Sequence, residues 1–168
     1  MPRVANPPGG LTPFDHRPAL WAAFNRYYGT LWSDGIVDDA TKEVGRLRNA
    51  RVTGCGICKN LRFETARDQG LDEEHVALID DAYAGSALPA RWKLAARLAD
   101  ALIADARVDG ALRTALLDEF SDAEIVELTA TIATAIAFSK ASVAFGAPDD
   151  MPVLVVPTPA IDTDVVRG

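Results

Sequence analysis

The sequence predicts an all-α protein of one domain, and its prolines and its apolar spacing carry that prediction. Pro2, Pro7, Pro8, Pro13 and Pro18 fall in the first eighteen residues and Pro148, Pro152, Pro157 and Pro159 in the last twenty-one, so Pro89 stands alone in the 129 residues between. An interior proline removes a helical hydrogen bond and clashes with the preceding turn, so this distribution leaves the middle of the chain permissive for continuous helix. Apolar residues there recur at helical intervals, as in Leu94, Leu98, Ala101 and Leu102, and again in Ile125, Leu128, Ile132 and Ile136. A chain of 168 residues, 49% hydrophobic and 24% charged, suits one globular domain. At that size roughly 70% of the unfolded surface is buried, so neither disulfide staples nor a structural metal is needed.

Seven helices follow, over about 18–33, 38–52, 55–69, 73–84, 90–106, 110–119 and 122–145. The first carries Trp21 and Trp32 at helical apolar positions, and Trp92 sits likewise in the fifth; all three read as core or interface residues. Asp38 or Asp39 suits the cap of the second helix and Thr53 the cap of the third, with Gly70 and Gly85 at the ends of the third and fourth. Pro89 suits an early position in the fifth. Ser121 and Glu124 form a capping box for the last helix, which Gly146 closes. The segment from Ile125 to Phe145 is the most apolar, but Glu127, Lys140 and its many Ala and Thr residues mark a buried helix, not a membrane span. The chain thus divides into a Pro-rich segment 1–17, a helical domain 18–146 and a C-terminal arm 147–168. The run from Met151 to Val156 makes that arm an extended cover for its own domain or for a neighbour.

The net charge of −7 and a pI near 4.8 exclude a general affinity for nucleic acid or anionic membrane. The first residues lack the apolar core of a secretory signal, so a cytoplasmic protein is expected. In a reducing compartment a close pair of cysteines points to catalysis, redox exchange or metal binding more than to a framework disulfide.

The two cysteines form a C-x-x-C pair, Cys55-Gly56-Ile57-Cys58, behind Thr53-Gly54 and ahead of a helical run. With Thr53 as the cap, both thiols lie near the first turn, where unpaired N–H groups favour the thiolate, and the spacing of three puts both sulfurs on one face. Residues 42–67 hold Lys42, Arg46, Arg48, Arg51, Lys59, Arg62 and Arg67 against Glu43 and Glu64, a net +5 in an acidic protein. Such a setting lowers a thiol pKa from about 8.5 towards neutrality, and Arg62, one turn beyond Cys58, is placed to lie over it. The same cations also suit the solvated faces of two amphipathic helices, and two cysteines at this spacing are sometimes inert core residues. A zinc site lacks partners, since His16 and His75 are the only histidines and stand at unhelpful distances. A thioredoxin-type motif would follow a strand, whereas these flanks read as helical. His75 reads as a surface or capping residue.

The order of these features resembles the AhpD-like, or carboxymuconolactone decarboxylase, family over about residues 20–146. The resemblance rests on Glu43 twelve residues before Cys55, on Leu47-Arg48-Asn49-Ala50 in the helix between, on the C-x-x-C pair, and on the late capped helix Phe120-Ser121-Asp122-Ala123-Glu124-Ile125-Val126-Glu127-Leu128-Thr129. It implies an all-helical homo-oligomer, a trimer or hexamer, whose C-x-x-C branch reduces hydroperoxides. Cys58 is then the thiolate that attacks peroxide, Cys55 the thiol that resolves it into a disulfide, and Glu43 a proton-relay carboxylate. No tightly bound cofactor is implied; the reductant is a dithiol such as dihydrolipoamide or a lipoylated protein. The family's histidines four residues after the second cysteine and just before it are Arg62 and Ile57 here. Arginine can stabilise a thiolate but cannot shuttle protons near neutral pH. The resemblance also leaves a muconolactone decarboxylase and a redox-responsive, non-catalytic oligomeric module as alternatives. The former needs no redox pair, and the chain lacks a helical histidine well placed for its proton transfer.

Overall fold

Helix α2 (Asp39–Thr53) is the axis around which the other elements pack, and residues Asp39 to Ala50 are all buried. It is an unusual axis, because Lys42, Glu43, Arg46, Arg48 and Asn49 are buried beside Val44, Leu47 and Ala50. Buried charge is tolerable only when paired and hydrogen-bonded, and each of these cations has a carboxylate partner. The computed structural model describes residues 3–161. In chain order its further elements are α1 (Pro18–Ser33), α3 (Gly56–Asn60), β1 (Leu61–Phe63), α4 (Glu64–Asp68), α5 (Glu73–Ala77), α6 (Ala90–Ala104), α7 (Gly110–Glu119), α8 (Asp122–Phe145) and β2 (Leu154–Val156), with short 3-10 turns at Pro13–His16 and Tyr83–Gly85.

α6 and α8 lie against α2 and carry the main apolar core, in which Val44 and Leu47 meet Ala95, Leu98, Ala99, Leu128 and Ile132. Gly45 allows the close approach, since a Cβ there would stand 2.7 Å from the Ile132 side chain. α8 is long and apolar enough to cross a membrane, and in the fold it buries Leu128, Thr131, Ile132, Ala135 and Ser139 among its neighbours. Its Ser121 and Glu124 form the capping box that the spacing predicts, and Gly146 closes it at φ 92°. The Asp38 side chain caps α2 through Thr41 N–H at 2.8 Å.

Two predicted helices are shorter than their apolar pattern. The run 55–69 is broken after Asn60, where Leu61, Arg62 and Phe63 extend and pair in parallel with Leu154, Val155 and Val156. The Cys58 and Leu61 carbonyls, which a continuous helix would use internally, accept instead from the Arg46 guanidinium. The run 73–84 ends at Ala77, because Asp80 turns the chain by accepting from Ala82 N–H at 2.8 Å. Thr53 caps nothing; it is the last residue of α2, and its hydroxyl donates back to the Asn49 carbonyl.

The arm is extended over its own domain as far as Ile161; residues 162–168 of the predicted arm lie outside the described residues. Pro148 accepts from Gly56 N–H at 3.1 Å, Asp150 from the Asn60 amide at 2.8 Å, and Thr158 bonds Thr65. A Cβ at Gly56 would collide with the Pro148 carbonyl and one at Gly29 with the Ala160 carbonyl, so both glycines make room for the arm.

Arg91 joins three elements by pairing with Asp38 at 3.0 Å, Glu124 at 2.8 Å and Glu119 at 3.4 Å. The Ser121 backbone N–H, then Arg91, hold the Glu124 carboxyl down at about 2, below its ordinary 4.5. A depressed carboxyl stabilises the fold above its unfolded pKa and loses that contribution as the pH falls toward the folded one. The melting temperature of the native sequence should therefore fall more steeply between about pH 5 and 2 than that of Glu124→Gln, as followed by circular dichroism.

Candidate active site

The site is assembled where α2 ends. Gly54 adopts φ 68° and closes α2 as only glycine does without strain, turning the chain into Cys55. Cys55, fully buried, is itself the cap of α3: its Sγ accepts from Cys58 N–H at 3.3 Å. The two cysteines are joined as a disulfide, with Cα atoms 5.3 Å apart. They pack on Ala50, Ile57, Phe138 and Val143. Cys58 is 6% exposed, and what exposure it has is at a cavity of about 280 Å³ that it lines and Cys55 does not.

The walls of that cavity are mostly aromatic. Trp21, Phe24 and Tyr28, spaced along one face of α1, stack in series at 5.3 Å between centroids, and Phe138 of α8 lies against Trp21 and Phe24. Phe63 of β1 closes a second side, and Val156, Pro157 and Pro159 of the arm a third. The arm is thus part of the site.

The polar groups come from α2. Arg46 donates from Nε to Glu43 Oε2 at 2.6 Å and from Nη2 to Oε1 at 2.5 Å, a bidentate pair three residues apart on one face. Its Nη1 donates to the Cys58 carbonyl at 2.6 Å and Nη2 also to the Leu61 carbonyl at 2.7 Å. One Nη1 hydrogen is left without an acceptor among the described residues, on a side chain that lines the Cys58 cavity. Burial alone would favour neutral Arg46, but the Glu43 carboxylate outweighs it and holds the guanidinium more firmly protonated than usual. Glu43 is almost wholly buried and also receives Phe63 N–H at 3.4 Å. Burial raises the Tyr28 hydroxyl to about 12, the nearby Arg46 lowering it and Glu43 raising it.

Of the four residues that the sequence singles out, Cys55, Cys58 and Glu43 are brought together, Glu43 through Arg46. Arg62 does not stand over Cys58. Because α3 stops at Asn60, residue 62 is not a helical turn beyond residue 58; its guanidinium pairs with Glu73 at 2.9 Å and donates to the Lys59 carbonyl at 2.7 Å. It lines a different, open cavity of about 810 Å³ with Arg48, Arg51 and Lys59. The concentrated positive charge is likewise answered in space: Lys42 by Asp39 and Glu127, Arg48 by Asp81 and Asp100, Lys59 by Asp150, Arg67 by Glu73. Arg46 is the cation beside Cys58. Its place three residues after Glu43 was the signal for it. Trp21, read as core or interface, lines the cavity; its spacing with Phe24 and Tyr28 marks the shared face. His75 lies in the first turn of α5, where its backbone N–H donates to the capping Asp72 at 2.9 Å and its ring bonds the same carboxylate at 2.8 Å. Among the described residues no three His, Cys, Asp or Glu side chains gather to hold a metal ion.

Residues 18–101 match the carboxymuconolactone decarboxylase family. The chain is 37% identical over 142 residues to the uncharacterized proteins Rv2313c and MT2376 from two strains of Mycobacterium tuberculosis, the match taking in 82% of this chain. It spans about half, 49%, of the length of these curated relatives. Its fold is similar to that of an Agrobacterium tumefaciens protein of unknown function described as a candidate antioxidant defence protein, AhpD. The TM-score is 0.70 at 19% identity, covering 88% of this chain and 97% of that one.

Proposed function

The chain belongs to the carboxymuconolactone decarboxylase family, and we propose that it is a thiol-dependent hydroperoxide reductase that works through Cys58 and Cys55 and is recycled by a dithiol. The observation that carries this reading is the asymmetry of the pair: Cys58 meets the cavity, while Cys55 is sealed beneath it within disulfide reach. That is what the chemistry asks of the two roles. The attacking thiolate must reach the O–O bond, and the resolving thiol must reach the sulfenic acid before a second peroxide does. Arg46 supplies the fixed positive charge that favours the Cys58 thiolate, the role that sequence spacing gives to Arg62. Glu43, both of whose oxygens accept from that guanidinium, keeps Arg46 in place. The narrow, mostly apolar cavity favours a dithiol on a slender arm, such as dihydrolipoamide or a lipoylated protein, as reductant.

The test is peroxide consumption with dihydrolipoamide, dithiothreitol or thioredoxin as reductant, for the native sequence and for Cys58→Ser. Turnover that depends on Cys58 and is fastest with the small dithiols supports the reading; equal background rates for both proteins reject it.

We also propose a homo-oligomer. Leu20, Tyr27, Ile36 and Val126 are exposed, as are Val153, Leu154 and Val155 of the arm, more apolar surface than one small domain ordinarily leaves in water. Light scattering at micromolar concentration should give a mass well above the 17.9 kDa of one chain; a clean monomer contradicts it.

A further inference from the structure

Reduction of an alkyl hydroperoxide releases an alkoxide, which needs a proton at the moment the O–O bond breaks, and the cavity beside Cys58 has no histidine among its lining residues. Besides Cys58 itself, the side chains there that bear a polar hydrogen are Trp21, Asn25, Tyr28, Arg46 and Ser139, and the Trp21 indole N–H is no acid in this range. An amide is not an acid in this range. Arg46 is locked in its protonated form by Glu43 and cannot release a proton. The Ser139 hydroxyl is bonded by the Asn49 amide at 2.9 Å, and an aliphatic hydroxyl is no stronger an acid than the alcohol to be formed.

We propose that Tyr28 is the proton donor to the leaving oxygen, in the place where the sequence offers no histidine. The inference rests on the hydroperoxide reductase reading above and adds a residue to it. The Tyr28 ring is fixed on the cavity wall by Phe24 at 5.3 Å and by edge contacts with Trp32 at 6.0 Å and Phe63 at 6.4 Å. Its hydroxyl has no acceptor among the described hydrogen bonds. The phenolate left after proton transfer would lie near the Arg46 guanidinium, which itself rests on the Phe63 ring at 4.8 Å. It would also be near the indole N–H of Trp32, which favours the ionised hydroxyl. Raised as it is to about 12, the phenol remains a far stronger acid than an alcohol, so the transfer runs downhill.

The step balances without a further reactant. The Cys58 thiolate attacks the terminal oxygen of ROOH; an S–O bond forms, the O–O bond breaks, and sulfur is oxidised as the peroxide is reduced. The departing RO⁻ takes the Tyr28 proton and leaves as ROH. Cys55 thiol then attacks the Cys58 sulfenic acid, forming the disulfide and releasing water. The phenolate recovers from solvent the proton that Cys58 lost on ionising.

Tyr28→Phe keeps the ring and removes the hydroxyl. The pre-reduced protein is mixed with tert-butyl hydroperoxide, whose leaving group needs a proton, or with peracetic acid, whose leaving acetate does not, and disulfide formation is followed by quenched mass spectrometry. The variant should be slower with tert-butyl hydroperoxide by about 10²-fold, and within about twofold of the native sequence with peracetic acid and in iodoacetamide alkylation of Cys58. Equal slowing with both oxidants, or no slowing with either, overturns the role of Tyr28 and leaves the reductase reading standing. A native protein that forms no disulfide with tert-butyl hydroperoxide overturns the reductase reading and this proposal with it.

Discussion

Arg46→Met should destabilise the protein by about 3–5 kcal/mol, the cost of stranding a carboxylate in a buried site, measured as a lower urea midpoint. Glu43 keeps only the distant Phe63 N–H at 3.4 Å, and the Cys58 and Leu61 carbonyls lose their donors. Adding Glu43→Leu removes the stranded charge and should return part of the loss, because well-packed apolar residues often replace a buried ion pair at no cost. Recovery stays partial, since each orphaned carbonyl still costs about 1–3 kcal/mol. Arg62→Ala breaks a pair with a half-exposed Glu73. By the geometry described it should leave the alkylation of Cys58 nearly as it was, whereas loss of Arg46 should slow it at neutral pH.

The second large effect is chemical. Cys58→Ser should bring peroxide turnover to background, because a hydroxyl at this position is not ionised near neutral pH and cannot take the oxygen atom. Cys55→Ser should instead react once and stop, carrying an added oxygen of about 16 Da that a sulfenic-acid trap captures. That asymmetry separates attacking from resolving sulfur. If the two substitutions exchange these outcomes, the burial of Cys55 beneath the cavity has been misassigned as the resolving position.

Much of the architecture was legible from local signals. The Ser121 and Glu124 box, the Asp38 cap and Gly146 concern residues within a few positions of one another, and the helices they bound are α2 and α8. The break at Asn60 was not, because it depends on Arg46 reaching across to two carbonyls and on β2, some ninety residues away, supplying a partner strand. The charge cluster misled for the same reason. Its net +5 is a property of the sequence window, while in the fold Arg48, Lys59 and Arg62 are paired with Asp81, Asp100, Asp150 and Glu73, which only folding brings alongside them. Glu43 is singled out in the sequence by the family resemblance; that it bonds Arg46, which in turn bonds the Cys58 carbonyl, required the folded geometry.

Titration of the reduced protein with cumene hydroperoxide, with intact mass and alcohol product followed together, tests the hydroperoxide reductase reading most directly. One cumyl alcohol and one disulfide between Cys55 and Cys58 are expected per hydroperoxide added, a loss of about 2 Da, with both thiols restored by dihydrolipoamide. Two cysteines that remain alkylatable after excess hydroperoxide, with no alcohol formed, contradict it.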